Sequence, residues 1–64
     1  MALGYDIFKK AGAELIWVEA AHDFAYAKRR IQELAKQNHT EYVVYDQGTR
    51  RIVASFDKQL GTRD

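Results

Sequence analysis

Cysteine is missing from this 64-residue chain. Its absence excludes disulfides and thiolate metal sites, two of the usual supports of a very small domain. No run approaches the roughly 18 consecutive apolar residues of a membrane-spanning helix. The opening residues Met1–Asp6 have neither the basic region nor the apolar core of a signal peptide. An excess of one charge is lacking too, because ten basic residues stand against nine acidic ones, for a net +1. Such a balance gives no general attraction to nucleic acid or to an anionic membrane. The chain reads as a soluble, cytoplasmic protein without a membrane partner. What remains for stability is packing or self-association, since a chain this short buries only about 60% of the surface it exposes when unfolded.

What is present is apolar and aromatic: 47% of the residues are hydrophobic and 12% aromatic, which is not a disordered composition. Tyr5-Asp6-Ile7-Phe8-Lys9-Lys10 has the aromatic and β-branched character of a strand. A link containing Gly12 leads to a second strand, Leu15–Ala20, and the two read as a hairpin. At Ala21-His22-Asp23 the period changes. Asp23 can cap a helix by accepting a hydrogen bond from its first turn. Phe24, Ala27, Ile31, Leu34 and Ala35 then follow the spacing of one helical face, so a helix is predicted over Phe24–Gln37, with Asn38 as its left-handed cap. Glu41–Tyr45 and Arg51–Phe56 are strands joined by Asp46–Arg50, a second hairpin. The predicted fold is α+β: a ββαββ domain over residues 1–56, with a four-stranded, mainly antiparallel sheet and one helix packed on one face. Residues 57–64 are polar, contain Gly61 and lack periodicity, and are expected to form a flexible tail.

The most informative feature is that the strands hardly alternate. Successive strand residues point to opposite faces, and a sheet with one face in water should therefore alternate apolar with polar. Here Ile16, Val18 and Ala20 oppose Leu15 and Trp17; Val43 and Tyr45 oppose Tyr42 and Val44; Ile52 and Ala54 oppose Val53 and Ser55. One helix covers one face. The other is expected to show Phe8, Trp17, Val43, Tyr45 and Val53, or the complementary set, and large exposed apolar patches mark interfaces. Those five residues are the candidate interface, with Trp17 its best anchor, because tryptophan and tyrosine dominate binding hot spots.

Other chemistry-bearing residues point nowhere so specific. Lys28, Arg29 and Arg30 form one basic cluster and Arg50 and Arg51 another; with sheet aromatics they suggest a small nucleic-acid-binding module as the alternative function. The first cluster, however, falls on the helix, where Asp23 and Glu33 offset it and a solvated face explains it as well. His22 and His39 flank a helix of about 22 Å and cannot share a metal ion within one chain. The single serine, Ser55, sits in a strand without a nucleophile-elbow motif. Gly12 and Gly48 are isolated turn glycines and not a phosphate loop. The residues thus predict neither an enzyme nor a cofactor site.

One resemblance adds to this reading. Tyr5-Asp6-Ile7-Phe8, Trp17-Val18-Glu19-Ala20-Ala21, Asp23, Ala27-Lys28, Ile31, Glu33-Leu34-Ala35, Glu41–Asp46 and Ile52-Val53 form a pattern that resembles a set of short bacterial proteins of unknown function. It spans residues 5 to 54, and Gln47-Gly48-Thr49-Arg50 departs from the Thr-Gly order usual in that turn. The resemblance implies the same fold and a stand-alone bacterial chain. It carries no catalytic or binding residues. The expected function is that of an interaction or structural module, a homodimer or a binder of another protein.

Overall fold

The computed structural model describes residues 4–57 and 61–63. The first hairpin is β1, Tyr5–Ala11, and β2, Glu14–Ala21; the helix α1 spans Phe24–Asn38; β3, Tyr42–Asp46, and β4, Arg51–Asp57, form the second hairpin. These elements are the ββαββ arrangement that the residues predict. A three-residue strand, β5, Gly61–Arg63, is added to the edge of β4. The tail expected over 57–64 is therefore partly strand: Asp57 ends β4 and 61–63 form β5, while 58–60 and 64 lie outside the described residues. The sheet order is β2-β1-β3-β4-β5, and every neighbouring pair is antiparallel.

Local chemistry sets the ends of these elements. β1 and β2 are joined by two residues, Gly12 and Ala13, and only Gly12 has a positive φ, +64°. That is the type II′ pattern, whose twist matches the twist of the strands it joins and which calls for glycine at the first central position. Nothing lies within 4 Å of where a Cβ on Gly12 would sit. Gly12→Ala therefore introduces no clash, only the backbone cost of a positive φ, about 1–2 kcal/mol. Urea denaturation should show a loss of that size; no loss would rule out the turn type.

The helix begins where Asp23 accepts a hydrogen bond from the Tyr26 N–H at 2.7 Å. It ends one residue later than predicted. The left-handed cap is His39, φ 54°, whose N–H donates to the Ala35 carbonyl, and not Asn38. Asn38 stays helical and uses its side-chain amide to bond the Leu34 carbonyl at 2.9 Å. In the β3–β4 turn the Asp46 carboxylate accepts from the Gly48 and Thr49 N–H groups, at 2.8 and 3.4 Å. The positive φ falls on Arg50, not on Gly48.

The core lies between α1 and one face of the sheet. Ala27, Ile31, Leu34 and Ala35 from the helix meet Ile7, Ala21, Tyr42, Val44 and Ala54 from the strands. The helical residues follow the predicted stripe, because positions three and four apart share a face. Phe24 packs at its margin, 5.7 Å from Tyr5 between ring centroids. Among the described residues no buried polar side-chain atom lacks a hydrogen-bond partner.

Candidate interaction surface

With the helix on one face, the register of the strands decides what the other face carries. Asp6 lies between Ala20 of β2 and Tyr45 of β3, and Tyr45 pairs with Ile52 of β4. The next row on the same face runs Trp17, Phe8, Val43, Ser55. The row beyond begins with Leu15 and Lys10. The face thus has an aromatic and aliphatic centre with a charged margin. Phe8 and Tyr45 pack edge to face, centroids 6.0 Å apart, a favoured arrangement of ring quadrupoles. The Trp17 indole N–H donates to the Asp6 carboxylate at 3.2 Å, which fixes the ring over the strand while leaving the residue 57% exposed.

Of the five candidate interface residues, four share this face: Phe8, Trp17, Val43 and Tyr45. Val43 is only 3% exposed and forms the floor between its cross-strand neighbours Phe8 and Ser55. Val53 does not join them. The β3–β4 register shifts between Val44 and Tyr45, so that Val44 pairs with Ala54 but Tyr45 with Ile52. Val53 is the extra residue of this β-bulge, and it packs against the helix-side core. Ile52 takes the place on the open face and is 51% exposed.

The same device operates in β2. Its register shifts between Ile7 and Phe8, leaving Val18 as the extra residue and turning it toward the core. Ala20 consequently falls on the open face, not on that of Val18 as simple alternation predicts. Leu15 and Ile52 are exposed apolar residues that the candidate set lacked. Strict counting by twos misplaces Ile52, and only the bulge reveals it.

The basic residues lie elsewhere. Arg30 projects from α1 to the Glu19 carboxylate at 2.9 Å and to Glu33 at 3.3 Å. The hydrogen bond and charge of Glu19 hold the Arg30 guanidinium above its ordinary pKa. The Lys28 ammonium sits over the Phe24 ring, 5.3 Å from its centroid, a cation–π contact. Arg29 is exposed on the helix, and Arg50 and Arg51 are exposed at the β3–β4 turn. The helical cations and the exposed aromatic face are therefore on opposite sides of the sheet.

His22 and His39 mark the two ends of α1, and among the described residues no group of three or more histidine, cysteine or carboxylate side chains is placed to hold a metal ion. An open cleft of 540 Å³ lies between the end of β2 and the start of α1, with His22, Asp23, Tyr26 and Arg29 as its polar lining. Asp23 is already committed there to capping the helix. Among the described residues no helix is long and apolar enough to cross a membrane.

No family model, curated protein or solved structure matches the chain.

Proposed function

We propose that this chain is a small interaction module that self-associates as a homodimer through the apolar surface centred on Trp17. The observation that carries the reading is the pairing of a fully used helix with an uncovered second apolar surface. α1 buries Ala27, Ile31, Leu34 and Ala35 against one face, while Leu15, Trp17 and Ile52 remain 44–57% exposed beside Phe8 and Tyr45. Isolated exposed hydrophobics are ordinary, but a contiguous aromatic patch is an interface feature. Trp17 supplies a large rigid contact area, and its indole N–H is already satisfied by Asp6. The alternative, nucleic-acid binding, draws no support from the placement of Arg30 and Lys28, which are engaged on the helix side.

The test uses the chain's single tryptophan as its own reporter. Light scattering should give twice the monomer mass of 7.4 kDa as concentration rises, and Trp17 emission should move to shorter wavelength over the same range. A monomer mass with unchanged emission up to about 1 mM, where even a weak interface of about −4 kcal/mol would be half formed, overturns the reading.

A further inference from the structure

Three neighbouring residues of β2, Leu15, Ile16 and Trp17, are 44, 48 and 57% exposed, and they do not share a face. Leu15 and Trp17 lie on the open face; Ile16, opposite Lys9, lies on the helix side. A partner laid on the open face covers the first and third but cannot reach Ile16. α1 does not cover it either, because the helix packs mainly over β3 and β4 and touches β2 less than β1, β3 or β4. Only a strand added at the free edge of β2, with side chains of its own on both faces, covers all three. Resting on the self-association reading above, we propose that β2 pairs antiparallel with β2 of a second copy, joining two five-stranded sheets edge to edge about a two-fold axis at Ile16.

The backbone allows that register and the apolar triplet selects it. The Lys10 N–H donates to the Glu41 carbonyl, on the β3 side of β1. Alternation then turns the amides of Lys9 and Ala11 toward β2, where they face Ile16 and Glu14. The backbone groups of Leu15 and Trp17 consequently point out of the free edge. An antiparallel copy satisfies them when Leu15 stands opposite the partner's Trp17 and Trp17 opposite the partner's Leu15, two hydrogen bonds in each pair. Between these pairs Ile16 meets the partner's Ile16 as a non-hydrogen-bonded pair, the kind with the closest side chains. The apolar triplet is thus its own complement.

Charge agrees with this register. Glu14 falls opposite the partner's Val18, so no carboxylates oppose each other, and Glu19 is held by Arg30 of its own chain. The triplet Leu15–Trp17 carries none of the usual guards of an exposed edge: it contains no charged residue and no proline, and the bulge of β2 comes after it. The far edge of the sheet is the three-residue β5, too short to offer a comparable ladder.

Cysteine substitution tests the register directly, because the chain has no cysteine of its own. At the two-fold axis the Ile16→Cys Cα atoms stand about 4.5 Å apart, within disulfide range. Leu15→Cys meets its own copy at about 8 Å, beyond that range. Ile16→Cys should therefore cross-link to dimer under mild oxidation, and Leu15→Cys alone should not; mixed with Trp17→Cys it should.

Without any cross-link, Ile16→Lys and Ile16→Glu, each at an exposed site and each checked for native circular dichroism, should be monomeric where the wild type is a dimer. Their equimolar mixture should recover the dimer. A wild-type dimer that survives Ile16→Lys, and is lost instead on Tyr45→Lys, overturns edge pairing and leaves self-association through the open face. A wild type that stays monomeric overturns both.

Discussion

Ile31→Ala should remove about a fifth or more of the stability of this domain. Ile31 is fully buried at the centre of the helical stripe, in the same cluster as Ile7, Val44 and Ala54. Truncation removes the transfer free energy of the deleted methyl and methylene groups and leaves a cavity that the sheet cannot close, about 2–5 kcal/mol for such a site. Small domains hold about 0.05–0.15 kcal/mol per residue, which for this length is about 3–10 kcal/mol in all. The urea midpoint should fall accordingly, read by circular dichroism at a concentration where the chain is monomeric. Ile16→Ala provides the contrast: the same side chain, 48% exposed on the edge strand, should cost under about 1 kcal/mol in the monomer. Equal losses at the two positions would contradict the placement of the core.

That contrast also marks what the residues reveal unaided. Ile31 announces its burial because helical spacing is rigid: Phe24, Ala27, Ile31, Leu34 and Ala35 fall on one stripe, and Asp23 marks where it begins. The strands are identifiable by their β-branched and aromatic content, and the second apolar face by their failure to alternate. Which residue lies on which face is another matter. A β-bulge adds one residue without changing the composition around it, and every assignment beyond it moves to the other side. Val53 and Ile52 exchange places for that reason, and Ala20 parts from the face of Val18. The cap at His39 is equally local: Asn38 has the better intrinsic claim to a left-handed φ, but its amide is spent on the Leu34 carbonyl. β5 has three residues and no apolar period, too little pattern to be read as strand, and it becomes one by pairing with the end of β4. The order β2-β1-β3-β4-β5 leaves β2 outermost, and only then does the exposure of Leu15, Ile16 and Trp17 acquire a meaning as an edge.

Trp17→Ser should separate folding from association more cleanly than any other single change. In the isolated chain Trp17 contributes little: it is more than half exposed, its bond to Asp6 is at the surface, and its cross-strand contact with Phe8 is the kind worth about 0.2–1 kcal/mol. The monomer should therefore keep its fold and lose at most about 1 kcal/mol. In the proposed dimer the same ring is the largest apolar group at the β2 edge, set against the partner's Leu15. Losing a desolvated tryptophan anchor costs about 2–4 kcal/mol, the substitution removes one from each copy, and each 1.4 kcal/mol is tenfold in affinity. The dimer dissociation constant should rise by about 1,000-fold or more, measured by mass against dilution, while the urea midpoint of the dilute monomer barely moves. If the midpoint collapsed instead, Trp17 would be a core residue and the surface it anchors would lose its basis. An unchanged dissociation constant would move the contact away from Trp17. The two readouts respond to different surroundings of one side chain, its own strand in the monomer and a second strand in the dimer. Their divergence is what an edge anchor requires and what a core tryptophan cannot produce.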